Sequence, residues 1–380
     1  MNMTKLLSII FFLSLGLHTT AQRVANGKEG KAIETLLHKA AVEHQFSGVL
    51  LVAVNGKIIY HGAKGYRDYA KKIPLQASDV FELASVSKQF TAMVIMMLKE
   101  QGKLNYDDPV EKYIGIPYKG ITIRHLLNHT SGLPDYQAIM DQYWDKTKVA
   151  GNEDCIAYLN KYAPPVLFAP GAKYTYSNTG YLLLASIAEK ASGQEFIAFC
   201  RANIFSRLGM KQTNIRTNTE KAATPNFALG HLKVDDRYVR ADSFPSSDYT
   251  IWLGNRKGPG RISSTASDLL LWDQALYGNK LVQQTTLAEA FTPAVLNDGK
   301  PSPYGFGWVI GMDERIGKMV FHTGDNPGYH TQIRRYLSPK ITMILLNNNN
   351  SDQMENILNE IERMLTLGNQ AINKKPETEE

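Results

Sequence analysis

Apolar residues change their spacing along the chain, and each change marks a different kind of element. From residue 29 to 44 they recur at helical intervals, with Ile33, Leu36, Leu37, Ala40 and Ala41 on one face. That spacing predicts an amphipathic helix. Two β-rich runs follow, Phe46–Val54 and Lys57–Gly65, joined by Asn55-Gly56. Asn-Gly between apolar runs predicts a tight hairpin, because both turn positions need positive φ. Towards the other end, Tyr304–Ile310, Lys318–His322, Gly328–Leu337 and Ile341–Leu346 read as strands, with a turn at Ser338-Pro339-Lys340. Met354–Leu365 reads as a closing helix, and Gly368–Glu380 as a polar, frayed tail.

The middle has another texture. Ser85–Lys99, Thr122–Asn128, Asn178–Ser192, Glu195–Leu208 and Thr265–Tyr277 read as helices between long connections rich in Gly and Pro. Strands at both ends predict that the termini meet in one antiparallel sheet. Helices 29–44 and 354–365 would cover it, and the helical middle would pack beside it. The expected division is a discontinuous α/β domain over 22–84 and 296–367, a mainly helical domain over 85–295, and a polar tail over 368–380.

Composition narrows the class. A hydrophobic content of 43% with 21% charged residues is that of an ordinary globular protein. The formal charge of +6 is spread along the chain without a block of one sign, so no nucleic-acid or membrane patch is expected. Residues 1–21 stand apart. Lys5 precedes the apolar run Leu6–Leu17, and Thr19 and Ala21 sit where a signal peptidase would cut before Gln22. The run is well short of the roughly 20 residues that span a bilayer. The expected protein is therefore exported, periplasmic or secreted, with no integral membrane span in the mature chain. Its two cysteines, Cys155 and Cys200, do not make a disulfide framework even where export would allow one. Cys200 reads as a small buried hydrophobe on a helix.

Three short motifs carry the chemistry. Ser85 opens an apolar-periodic helix, and Lys88 lies one turn along the same face, within reach of the serine hydroxyl. Unpaired backbone N–H groups of a first helical turn can stabilise an oxyanion. A capping box would place Glu or Gln three residues after a capping serine, yet a cation stands there instead. The second motif is Tyr176-Ser177-Asn178. Tyr-x-Asn also occurs at Tyr158 and Tyr277, but only Tyr176 sits where a loop runs into a helix. The third is His322-Thr323-Gly324 at a strand end, where Gly324 allows close approach and the Asp325 N–H could join that of Ser85 in an oxyanion pair.

Taken together and in this order, the motifs resemble those of the serine β-lactamase and penicillin-binding superfamily, most closely its class C β-lactamase-like branch. Phe81–Ala92, Ile123–Pro134, Tyr176–Leu184, Leu208-Gly209-Met210 and Gly258–Trp272 support the resemblance, which runs from about residue 45 to 350. It implies an α/β (α+β) fold with a five-stranded antiparallel sheet beside an all-helical domain and the site between them. It also implies an acyl-enzyme on Ser85, with Lys88 and Tyr176 moving its proton. Asn178 would position Lys88 and substrate, His322 and Thr323 would hydrogen-bond the substrate or Tyr176, and the N–H groups of Ser85 and Asp325 would hold the oxyanion.

One departure directs the reading. Class C β-lactamases have Lys-Thr-Gly where this chain has His322-Thr323-Gly324, and a histidine with an ordinary pKa near ~6.5 is mostly neutral at pH 7. The resemblance thus points to peptidase, D,D-carboxypeptidase-like, amidase or esterase work on a small molecule or short peptide, ahead of β-lactam hydrolysis. A penicillin-binding sensor that acylates without turnover is the competing non-enzyme reading. No metal or organic cofactor is expected. His125 and His129 lack the adjacent Glu of a zinc protease, and there is no Gly-x-Ser-x-Gly nucleophile elbow.

Overall fold

The computed structural model describes residues 24–373. The expected signal segment and residues 374–380 lie outside them. The chain opens with the short strand β1 (Val24–Ala25) and helix α1 (Gly27–His44), then the hairpin of β2 (Gly48–Val54) and β3 (Lys57–Lys64). Asn55 and Gly56 take φ of 51° and 74°, the two positive values a tight hairpin turn requires. The late strands are β4 (Val309–Asp313), β5 (Gly317–Asn326), β6 (Tyr329–Tyr336) and β7 (Ile341–Asn347).

These strands form one antiparallel sheet in the order β1-β3-β2-β7-β6-β5-β4. The ends of the chain meet where β2 pairs with β7, Leu51 facing Ile344 across the ladder. The sheet has seven strands rather than five, because β1 and β4 add one short strand at each edge. The run Tyr304–Ile310 is not itself a strand. Gly307 takes φ of 77° and turns the chain, so pairing begins at Val309.

Side chains of β2 alternate between two buried layers. Leu50 and Val52 join Ile33, Leu37, Met343, Ile357 and Leu358 under α1 and the last helix. Val49, Leu51 and Ala53 face the other way, into a core shared with Phe90, Leu183, Trp272 and Ile333. Sheet and helical middle therefore share one continuous apolar interior. Burial on both faces explains why these strands read as unbroken apolar runs. The last helix continues from Met354 to Asn373, past the expected stop at Leu365.

The middle contains α2 (Lys88–Glu100), α3 (Ile123–Leu127), α4 (Asn178–Ser192) and α5 (Ala266–Ala275). It also holds strands that the apolar spacing did not announce. Phe81–Glu82, Ile262–Ser264 and Asn214–Ile215 form a small antiparallel sheet, and His231–Val234 pairs with Arg237–Arg240. Runs of two to four residues are too short for a period to register. The expected helix Glu195–Leu208 is interrupted by a π-helical turn over Arg201–Phe205. Cys155 and Cys200 are both free and buried, and burial pushes the Cys155 thiol up to about 12. Among the described residues no helix is long and apolar enough to cross a membrane.

Candidate active site

Ser85 does not cap α2. It lies in a 3₁₀ turn, Ala84–Ser87, that runs directly into the helix at Lys88. Ala84 holds φ of 48°, a left-handed conformation that costs a non-glycine residue about 1 kcal/mol or more. Such a backbone persists because its surroundings determine it. Leu83 N–H donates to Ile262 O at 2.8 Å, and Leu83 O accepts from the Thr331 hydroxyl at 2.8 Å. The turn is thus tied to the small sheet on one side and to β6 on the other.

Lys88 is fully buried among three oxygens. Its Nζ lies 3.0 Å from Ser85 Oγ, 2.9 Å from Asn178 Oδ1 and 2.8 Å from the Pro259 carbonyl. No carboxylate accompanies it in this set. Burial lowers its pKa well below the ordinary lysine value, and the nearby positive charge of Arg256 lowers it further. Asn178 is brought to Lys88 as the first residue of α4, whose start is set by Ser177, its hydroxyl accepting from Gly180 N–H at 3.2 Å.

Tyr176 stands just before that cap. The residue is 41% exposed, and its hydroxyl lies within hydrogen-bonding reach of Ser85. Enclosure raises the phenol pKa above its ordinary value, and the hydrogen bond with Ser85 only partly offsets this. Lys88 Nζ sits 4.8 Å from the centre of the ring.

His322, Thr323, Gly324 and Asp325 lie along β5. The ladder between β4 and β5 stops at Phe321, so from His322 onward that edge of β5 has no strand beside it. Gly324 is required by contact. A Cβ there would come within 2.1 Å of the Leu83 carbonyl, backbone of the segment carrying Ser85. Asp325 borders the same recess as Ser85 and Asn178.

His322 differs from its expected use. Its Nδ1 lies 2.6 Å from the Thr323 carbonyl and its Nε2 2.7 Å from the Tyr304 hydroxyl. A carbonyl can only accept, so Nδ1 carries the proton, and in the neutral ring Nε2 accepts from Tyr304. Burial, then the charge of Lys88, pull the imidazole down to about 3. Both ring nitrogens are engaged within the protein, and the ring centre is 6.1 Å from that of Tyr176.

Two further residues belong to the setting: His129, which spacing offered only as half of a rejected zinc pair, and Arg256, which it did not single out. His129, at φ 60° and fully buried, accepts the Ser177 N–H on Nδ1 at 3.0 Å, and its carbonyl accepts the Thr175 N–H at 2.9 Å. It therefore clasps the backbone on either side of Tyr176, and its ring centre lies 4.3 Å from that of Tyr176. His125 does something different: its Nδ1 closes a capping box with Thr122. Arg256 is the second, lining the recess that holds Ser85. The sequence signal for His129 was its place in the stretch Ile123–Pro134. Arg256 had only a glycine-rich loop around it.

Comparison with known proteins gives the class of this arrangement: the chain is a serine hydrolase. The beta-lactamase family model matches residues 24–366, and the chain belongs to that family. It is 40% identical over 328 residues to penicillin-binding protein 4* of Bacillus subtilis (strain 168), covering 85% of this chain and 72% of the relative. It is 23% identical over 321 residues to a D-aminopeptidase of Gluconobacter oxydans (strain 621H), covering 80% and 56%. Among solved structures, a penicillin binding protein from Bacillus halodurans superposes with a TM-score of 0.75 at 26% identity, covering 87% of this chain and 98% of that one.

Proposed function

We propose that this protein is an exported acyl-transfer hydrolase that cleaves amide or ester bonds through an acyl-enzyme on Ser85, with peptidase or esterase rather than β-lactamase activity. The observation that carries this is the setting of Lys88. Asn178 Oδ1 and the Pro259 carbonyl only accept hydrogen bonds, so the two N–H groups of a neutral amine satisfy them. The remaining lone pair then faces Ser85 Oγ at 3.0 Å. A depressed lysine pKa makes that neutral form available, which favours Lys88 as the base. Tyr176, whose pKa is raised, keeps its proton at rest and can give it to the leaving group as the proton that Lys88 took from Ser85 replaces it.

The N–H groups of Ser85 and Asp325 serve as the oxyanion pair in this reading, each donor contributing about 10²–10³ in rate. The free edge of β5 at Thr323 offers an extended substrate backbone hydrogen bonds. His322 supports Tyr304 and the strand end rather than a substrate carboxylate. A neutral histidine offers no permanent cation where a β-lactam carboxylate would need one, which supports the peptidase or esterase reading. The names of the penicillin-binding and D-aminopeptidase relatives support the same substrate range, and the pattern of residues 1–21 supports export.

The test is steady-state hydrolysis of a chromogenic ester by the wild type and Ser85→Ala, with mass spectrometry of the protein during turnover. Expected are loss of turnover in the variant and an acyl adduct on Ser85. Unchanged turnover in Ser85→Ala would sink the assignment, and an adduct that forms stoichiometrically without turnover would favour a sensor.

A further inference from the structure

Arg256 is a guanidinium without a carboxylate of its own beside the proposed nucleophile. Its side chain is 8% exposed and lines a recess with Ser85, Asn178, Asp325, Gln137 and Tyr249. Its one side-chain hydrogen bond among the described residues is a long one, 3.4 Å from Nη1 to the Tyr136 hydroxyl. Its Nε is buried and has no partner. The guanidinium carbon lies 5.5 Å from the centre of the Tyr249 ring, which orients the plane but does not neutralise the charge.

The surrounding charge is unbalanced. Glu82 is the buried carboxylate of this corner, and it is committed elsewhere: it accepts from Lys221 Nζ at 2.7 Å and from Asn326 Nδ2 at 3.1 Å. Burial alone would raise its carboxyl, but the charges of Lys221, Arg261 and Arg256 hold it below its ordinary value. Lys221, Arg261 and Arg256 thus all act on Glu82, while Asp325, the carboxylate lining the recess, forms no ion pair with Arg256. A buried charge left so poorly paired is costly unless something of opposite sign completes it. A planar fork of N–H donors suits a carboxylate.

The side of the cleft follows from its walls. Tyr176, the proposed proton donor to the leaving group, borders a different recess, with Gly132, Leu133, Leu167 and Phe168. The Arg256 recess is lined by Ser85 and Asp325 but not by Tyr176, and the two recesses have Asn178 in common. We infer that Arg256 forms an anion subsite for the acyl half of the substrate, so that the enzyme prefers acyl donors carrying a free carboxylate. This inference rests on the acyl-enzyme reading of Ser85.

The test compares two thiophenyl esters with one leaving group, those of N-succinylglycine and of its neutral counterpart N-succinamoylglycine. Expected for the wild type is a kcat/KM ratio favouring the succinyl ester by at least about tenfold, the low end of a charge-assisted hydrogen bond. In R256Q the ratio should fall to within about twofold, while R256K should retain part of it. Rising salt should also shrink the wild-type ratio. The wild-type ratio and its salt dependence need no variant, so a misfolded R256Q leaves the inference decidable. Equal kcat/KM for the two esters in the wild type, or a preference that persists in R256Q, overturns the subsite. Failure of both esters to undergo Ser85-dependent turnover overturns the hydrolase reading itself, and the subsite with it.

Discussion

The Tyr304 hydroxyl and Nε2 of His322 lie 2.7 Å apart, and this contact fixes which way the buried imidazole is protonated. With Nδ1–H directed at the Thr323 carbonyl, a second proton would have to displace the tyrosine donor inside a closed site. His129, also buried, is held well below its ordinary value by burial first and then by the charges of Lys88 and His322.

The sign of the pH effect follows. An unfolded histidine takes up a proton near ~6.5, whereas folded His322 does so only near about 3. Below pH ~6.5 the unfolded chain therefore binds protons that the folded chain refuses. Stability present above that pH should decline as pH falls towards 3. Thermal unfolding of the wild type and His322→Gln from pH 7.5 to 4 checks this, and the variant should show the shallower decline.

Lys88 leads to a prediction about rate rather than stability. In the proposed mechanism neutral Lys88 is the reactive form, so kcat/KM should rise with pH through an acid limb lying well below the ordinary lysine range. Asn178→Ala removes one of the two acceptors that hold the amine and should lower kcat by about 10²-fold or more. A pH–rate profile with single-turnover acylation measures both. An acid limb at the unperturbed lysine value would assign the base elsewhere.

His129 should matter out of proportion to its distance from the chemistry. His129→Ala removes the acceptor for Ser177 N–H, opens a cavity against Tyr176, and places Ala at φ 60°. The expected cost is about 2–4 kcal/mol together with a reduced kcat. Asn tolerates that backbone but has no ring to set against Tyr176, so His129→Asn should keep more stability than His129→Ala and still lose kcat. Urea unfolding and steady-state kinetics of the pair separate the two contributions.

Asp273 and Arg335 form an ion pair with both side chains fully buried, joining α5 to β6. The Asp273 carbonyl accepts a further bond from Arg335 Nη2 at 3.2 Å. Asp273→Ala leaves a buried guanidinium uncompensated and should cost about 3–5 kcal/mol. Replacing both residues with apolar ones of similar volume should recover much of that loss. Denaturant midpoints for the single and double variants provide the comparison.

The sequence by itself determined the elements with a sustained period. α1, the Asn55-Gly56 hairpin and the late strands follow from side-chain spacing and turn stereochemistry, both local properties. The same holds for the meeting of the termini, since edge runs that are apolar throughout must pair and be covered on both faces. It also brought Ser85, Lys88, Tyr176, Asn178 and the His322–Asp325 segment into view, because three and two residues are fixed offsets along a helix or a loop. Tertiary structure alone decided what surrounds them. The Pro259 carbonyl reaches Lys88 from 171 residues away in the chain, Arg256 enters the recess from the same loop, and Tyr304 claims His322 across β5. Depressed pKa values arise from such burial and long-range charge, which no local spacing encodes. Chain order supplied the candidate groups, and packing shifts their pKa values.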